Sequence, residues 1–424
     1  MVPSRKPGPD PVETALARFL ADHPDCAGLR VAFSGGRDST VLLHVLARLE
    51  PARSVVAIHV HHGLHPQADV QADHCRRFAA ELGVRFELRE VRLTGRPEEG
   101  VEAAARRLRY QALSQEARSG DCVLTAHHAS DQAETFLLAA LKGSGPAGLA
   151  AMPRLRRLGA GWLGRPLLPV PGESVAAYAR QHGLRWVEDP SNEDTRFDRN
   201  FVRREVLPVL ASRFPVARRL GVAADLQAEA IEVLDGLLDP LLDTLGGAVA
   251  DSLDLDALLA HPAVRRSWLL RRFIVRSGGS LPRRGPLLEF LRQLAEAGAE
   301  ASPALHWDGL SLRTYRGVLY LLKAAGYGAA ALSSGEAITW PDGASALTLP
   351  DGRVLTARQL QDAGIGSSGG VQIDFRRGGE TLRSGGVRRP LKALLQERGI
   401  PPWRRAEVPL VRVHGELVAV LWDA

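Results

Sequence analysis

Three groups of residues carry side chains at spacings that suit chemistry. The first, Ser34-Gly35-Gly36-Arg37-Asp38-Ser39, lies between Val31-Ala32-Phe33 and the pattern Thr40-Val41-Leu42-Leu43-His44-Val45-Leu46. This order reads as a buried strand, a tight loop and a helix. Two adjacent glycines let the backbone turn and bring its N–H groups against an anion. The helix that follows adds free N–H groups and the positive end of its dipole, so the chemistry is phosphate binding. A Walker-type loop is excluded, because GxxxxGK[ST] needs a lysine and none lies near. The second group is Asp131 and Glu134. They fall on the first turn of a helix whose apolar spacing resumes at Phe136-Leu137-Leu138, just after a strand over Asp121 to Ala126. Such acids often only cap a helix, but at the carboxyl end of a parallel strand they also face the place where ligands of open α/β sheets bind. The third group is Arg106 and Arg109, i, i+3 neighbours on a helix that also carries Glu102 and Tyr110. His61, His62 and His65 follow another strand and invite a metal reading. No regular element aims neighbouring His61 and His62 at one ion, so residues lining a nucleotide crevice are the better reading.

The elements that must position these groups alternate along the first 190 residues or so. A helix over Pro11 to His23 buries Val12, Leu16, Phe19 and Leu20 on one face. Strands follow at Leu29 to Phe33, Ser54 to Val60, Val84 to Val91 and Asp121 to Ala126, and helices at Asp69 to Leu82, Gly100 to Arg118 and Gly172 to His182. Alternation of this kind predicts an α/β fold, a doubly wound parallel sheet. RPLLPV from Arg165 is expected to be a short extended piece. Pro215 to Leu245 is expected to be helical, and Ser252 to Arg276 to form two helices broken near Pro262. Leu305 to Leu322 alternates as a β-hairpin turning at Arg316-Gly317, and Gly326 to Ala346 has the composition of a linker or loop edge.

Composition sets the outer limits. At 424 residues with 45% hydrophobic content, roughly two or three globular domains are expected. Met1 to Asp10 is polar and proline-rich with no apolar segment behind Arg5 and Lys6, and no run of about 18 apolar residues occurs, so a soluble cytoplasmic protein is expected. Cys26, Cys75 and Cys122 form no CxxC, which argues against a disulfide framework or a structural zinc site. The formal charge of +6 suits a polyanionic partner, and nine of the basic residues fall between Arg376 and Arg405 against Glu380 and Glu397. Oligomeric state is left open, a homodimer included.

The chain resembles the tRNA(Ile)-lysidine synthetases of the PP-loop (N-type ATP pyrophosphatase) superfamily. The matching strings are SGGRDS (34 to 39), HVHHGL (59 to 64), EAAARRLRY (102 to 110), HHASDQAET (127 to 135), GSGPAGL (143 to 149) and EDPSNEDTRFDRNFVR (188 to 203), followed by 376 to 411 near the end. Ser130 stands where many members have a second aspartate, and Lys142 where arginine is usual. The resemblance implies a catalytic PP-loop domain over 1–210, a mostly helical middle domain over 211–330 that binds tRNA or substrate, and a basic α+β domain over 365–424 that binds tRNA. It implies ATP and Mg2+ as cofactors, and L-lysine and the CAU-anticodon tRNA(Ile) as partners. Ser34, Gly35, Gly36, Arg37, Asp38, Ser39, His62 and Arg109 would bind the nucleotide, with Asp38 also placing the metal. Asp38, Arg109, Asp131 and Glu134 would be catalytic. A tRNA thiolase is the nearest alternative within the superfamily, disfavoured because sulfur-transferring relatives commonly use cysteine pairs and this sequence has none. A non-catalytic tRNA-binding protein on an ATP-binding scaffold is the other.

Overall fold

A computed structural model describes residues 9–50, 53–61, 63, 68–92, 101–188, 193–247, 249, 251–296, 303–323, 337–350, 352–366, 369–384 and 387–422. His62 lies outside them. The chain divides into two compact units, Met1–Leu234 and Asp235–Ala424. No described helix is long and apolar enough to cross a membrane.

The first unit begins with α1 (Pro11–Asp22), β1 (Gly28–Ala32), α2 (Arg37–Leu49), β2 (Val55–His61), α3 (Ala68–Glu81), β3 (Arg85–Glu90), α4 (Val101–Glu116), β4 (Asp121–Leu124) and α5 (Ala129–Leu141). After a turn of helix, α6 (Pro146–Leu149), come β5 (Leu155–Leu158), β6 (Gly161–Gly164), α7 (Gly172–Gln181), α8 (Asp198–Phe201), α9 (Leu207–Ala211) and the long α10 (Val216–Thr244), whose residues from Asp235 onward belong to the second unit. The strands form one sheet in the order β3-β2-β1-β4-β6-β5, parallel except for β5 at the edge.

Side chains alternate across this sheet as the period of two requires. Val55 and Ala57 of β2 join the core built with α1, α2, α3 and α7. Val56 and Ile58 join Leu113 of α4 and Ala117 just after it on the other face. A sheet covered on both faces explains why its central strands are apolar almost throughout. The expected doubly wound sheet is therefore present.

One expectation fails, and a second is tested only in part. RPLLPV is a run of turns, and the strand is instead the preceding GWLG, paired with LRRL as the β5–β6 hairpin. Pro166 and Pro169 cannot donate to a ladder, whereas the glycine at 159 accepts the positive φ (+56°) that the hairpin turn needs. The supposed linker Gly326 to Ala346 lies outside the described residues up to 336. Beyond them Ile338–Thr339 is a strand and Trp340 a fully buried core residue.

The second unit holds β7 (Ser252–Asp254), α11 (Leu255–Leu259), α12 (Ala263–Arg276), α13 (Arg284–Glu296), β8 (Ala304–Trp307), β9 (Leu310–Tyr315) and β10 (Val318–Lys323). Helices α12 and α13 bury Leu269, Leu270, Phe273, Leu287 and Phe290 against Leu312, Leu319 and Leu321 of an antiparallel sheet, β7-β10-β9-β8. The β9–β10 turn falls at Arg316-Gly317 as expected, both residues having positive φ. A small α+β portion follows: β11 (Ile338–Thr339), β12 (Ala346–Thr348), β13 (Val354–Thr356), α14 (Ala357–Asp362), β14 (Val371–Asp374), β15 (Thr381–Ser384), β16 (Val387–Pro390), α15 (Leu391–Glu397), β17 (Leu410–Val413) and β18 (Glu416–Val420). Its main sheet runs β11-β14-β17-β18.

Candidate active site

The site is built where β1 and β4, neighbours in the sheet, hand over to α2 and α5 at their carboxyl ends. Ser34 to Gly36 form the loop and Gly36 caps α2, with no side chain closing the helix N-terminus. By contrast, Asp10 accepts two N–H groups at the start of α1. The first N–H groups of α2 are thus left to an anion. Gly35 has φ +80°, and a Cβ there would stand 2.7 Å from Cys75 Sγ of α3. At Gly36 a Cβ would meet only Ser34 Oγ, at 3.5 Å. The loop is therefore packed beneath and open above. Gln71 Nε2 donates to Ser34 O at 2.7 Å, the Val187 N–H to Gly35 O at 2.9 Å, and the Ser34 and Ser39 hydroxyls lie 3.0 Å apart. Residues shaped this way fit the phosphates of a nucleotide.

Asp38, on the first turn of α2, accepts from Arg37 Nε at 2.8 Å and lies 3.5 Å from His128 Nε2. Burial alone would raise its pKa, but His128 and Arg37 prevail and bring it down from 3.8 to about 2. Among the described residues no three His, Cys, Asp or Glu side chains gather to hold a metal. An ionised Asp38 beside a phosphate loop still fits Mg2+, which takes one or two carboxylates plus phosphate oxygens and water.

His128 is the N-cap of α5 and ties the two halves of the site together. Its Nδ1 accepts the Ser130 N–H at 3.2 Å, its own N–H donates to Asp131 Oδ2 at 3.0 Å, and Nε2 faces Asp38. These partners specify the tautomer with the proton on Nε2. Burial opposes charge on this ring, yet the carboxylates of Asp38 and Asp131 raise its pKa above 6.5.

Asp131 and Glu134 stand one turn apart on α5, and Glu134 is 0% exposed. Two arginines hold them. Arg199 donates from Nε to Glu134 Oε2 at 3.0 Å and from Nη2 to Asp131 Oδ1 at 3.4 Å. Arg203 donates from Nε to Glu134 Oε1 at 2.5 Å and from Nη2 to Asp131 Oδ1 at 2.9 Å. For Asp131, burial would raise the pKa, but His128, His127, the His128 N–H and Arg199 outweigh it. Burial also works against the Arg203 cation, which Glu134, Asp131 and the more distant Asp38 restore and strengthen.

The arginines come from a stretch with an unusual backbone. Val202–Val206 is a π-helical turn, with the Leu207 N–H bonded back to Val202 O. Pro208 can donate nothing to the carbonyl four residues earlier and crowds it, which the wider turn relieves.

The structure thus brings Ser34 to Ser39, Asp131 and Glu134 to one crevice. Arg109 stands on an exposed face of α4, where its charge is felt by His59 of β2. Sequence reasoning assigned no role to His128, Arg199 or Arg203. The signal for the arginines was present in RNFVR, two arginines four apart in a helical stretch; His128 had none beyond its place before a helix.

Comparison with known proteins agrees with this geometry. Residues 10–210 match a family model described as PP-loop domain, 253–320 one described as TilS substrate binding domain, and 371–421 one described as TilS substrate C-terminal domain. A tRNA(Ile)-lysidine synthase of Alkalilimnicola ehrlichii is 43% identical over 98% of this chain and 94% of its own. That of Methylococcus capsulatus is 40% identical over 96% and 94%. That of Pectobacterium atrosepticum is 38% identical over 97% and 94%.

Proposed function

The chain belongs to the tRNA(Ile)-lysidine synthase family, whose members are ATP-dependent ligases, and we propose that it joins L-lysine to C2 of the wobble cytidine in the CAU anticodon of tRNA(Ile). The product would be lysidine, with AMP and pyrophosphate released and the tRNA switched from methionine to isoleucine identity. The work would be done in the cytoplasm, where tRNA is processed.

One observation carries this reading: an unbroken line of contacts runs from the phosphate loop through Asp38 and His128 to Asp131, Arg203 and Glu134. Two half-reactions on one base need two such sites side by side. In the first, cytosine O2 attacks the α phosphate, the bond to the β phosphate breaks and pyrophosphate leaves. The loop N–H groups and the Ser34 and Ser39 hydroxyls would hold the phosphates, and Asp38 would hold Mg2+, which offsets the charge of the leaving group. In the second, the lysine amine attacks C2, the C2–O2 bond breaks and AMP leaves with O2. Lysine arrives as an ammonium, so a carboxylate must orient it and another group accept its proton. A carboxylate offers about four lone-pair sites, and the described donors to Asp131 fill three. The remaining site on Oδ2 is where we place the ammonium, with Glu134 and the arginines fixing the Asp131 rotamer.

Residues 1–210 would carry this chemistry, with 211–330 and 365–424 binding the tRNA. In the last of these, Arg388 is exposed on the β15–β16 ribbon, Lys392 lies on α15, and Arg389 pairs with Glu397. The three cysteines are buried, and burial pushes each thiol up, which favours ligation over the thiolase alternative. Radiolabelled lysine incubated with ATP and individual tRNAs tests the proposal. Label should enter the CAU isoleucine tRNA only when ATP is present. Consumption of ATP with no lysine in any RNA would refute it.

A further inference from the structure

Arg165 is the first residue after β6 and is 3% exposed. Its Nη1 donates to Pro153 O at 2.6 Å and the Tyr110 phenol lies near enough to act on its charge, yet Nε is buried without a partner. Among the described residues no carboxylate pairs with it. A buried guanidinium with no counter-ion is a costly arrangement, and an evolved core normally supplies the acid. Here the neighbourhood is more basic still. The guanidinium carbons of Arg106 and Arg156 lie 5.2 and 5.3 Å from the centroid of the Tyr110 ring. Three arginines therefore gather around one phenol, and no described acid is paired with any of them. Like charges so placed become favourable when an anion joins them.

The cluster stands at the catalytic edge of the sheet. Strand β6 lies beside β4, and His127, at the end of β4, is held neutral first by its burial and then by Arg165, Arg199 and Arg106, against the pull of Asp131. The phosphate loop follows β1, two strand spacings from β6, about 10 Å away. The phosphates of ATP already have that loop. The other phosphates in the reaction are those of the RNA strand.

We propose that Arg106, Tyr110 and Arg156, with Arg165 behind them, bind a backbone phosphodiester next to the reacting cytidine. The assignment rests on the reading of the substrate as RNA. The site fixes the strand while the base enters the crevice, with Arg106 and Arg156 supplying the accessible donors and the buried Arg165 a fixed positive field. The tyrosine holds both outer guanidiniums in place by cation–π contact.

The test uses the full-length protein and synthetic anticodon stem-loops in which each phosphate beside the cytidine is replaced in turn by a neutral methylphosphonate. With the wild type, one position should weaken binding by about tenfold or more, the loss of a charge-assisted contact. Arg106→Gln and Arg156→Gln leave Arg165 in place, so the fold is not at stake. Each should weaken binding of the unmodified stem-loop and lower the slope of log K against log salt by about 0.7. The same neutral phosphate should then cost the double variant nothing further. ATP affinity, measured without RNA, should hold. Losses that add at every position, or an unchanged slope, would overturn the site while leaving the lysine ligation reading intact. A fall in ATP affinity with RNA binding unchanged would reassign it to the nucleotide and equally overturn it. Failure of the wild type to bind any RNA would overturn both.

Discussion

Asp131→Asn separates the two half-reactions. Asp131 Oδ2 accepts the His128 N–H at 3.0 Å, and Oδ1 accepts from Arg203 at 2.9 Å and Arg199 at 3.4 Å. An asparagine with its oxygen toward His128 keeps the bond from the N-cap N–H, since an amide oxygen accepts as the carboxylate did. Its NH2 then faces Arg203, donor against donor; the opposite orientation loses that bond instead. One charge-assisted bond goes in either case, about 1.5 to 3 kcal/mol. Glu134 still accepts from Arg203 Nε at 2.5 Å and Nη2 at 3.0 Å, so the cost in stability should fall near the lower end of that range. The ammonium of lysine loses a comparable interaction, which raises the apparent KM for lysine roughly tenfold to more than a hundredfold. Adenylated tRNA should still form, because the phosphate loop is untouched. Quench-flow sampling that follows adenylated tRNA and lysidine separately measures both steps. An unaltered lysine KM with both steps intact would reduce Asp131 to the partner of the His128 N–H in the capping box of α5.

Asp38→Ala should abolish pyrophosphate release in the presence of tRNA rather than weaken tRNA binding; near wild-type release would remove Asp38 from the metal site. Neutralising Arg388, Arg389 and Lys392 together should weaken tRNA affinity and flatten its salt dependence by about 0.7 to 0.9 in log–log slope per lost phosphate contact, and an unchanged slope would make them a solvated face. The Asp38–His128 link should show in the pH dependence of stability. Asp38, lowered from 3.8 to about 2, contributes in full above 3.8 and loses its contribution as pH falls through about 2. That shift corresponds to about 2 kcal/mol, and to roughly half as much for a side chain 34% exposed to solvent. His128, raised above 6.5, contributes in full below 6.5 and loses its contribution as pH rises through its folded value. Denaturant titrations should show that His128→Gln loses less stability than the wild type as pH rises above 6.5; parallel curves would contradict the link.

What the sequence determined by itself was everything built from neighbours along the chain. Ser34 to Ser39 form a phosphate loop because a buried strand, two glycines and a helix follow one another without a gap, and each obeys local rules of backbone and burial. Asp131 and Glu134 share a face because a helix repeats every 3.6 residues. The apolar strands predicted the doubly wound sheet for the same reason. The β5–β6 hairpin escaped because LRRLGAGWLG alternates weakly, while RPLLPV looks like a strand to any scale that counts apolar residues and overlooks what two prolines cannot donate. Only the tertiary structure decided what the acids meet. Arg199 and Arg203 reach Asp131 and Glu134 across more than sixty positions, and His128 reaches Asp38 across ninety. No periodicity encodes such pairs, since they exist only once β1 and β4 lie side by side and α8 and the π turn set Arg199 and Arg203 over α5. That no acid among the described residues pairs with Arg165 is of the same kind. A lone arginine in sequence is unremarkable, and it acquires meaning when the fold withdraws it from water and leaves it among other cations.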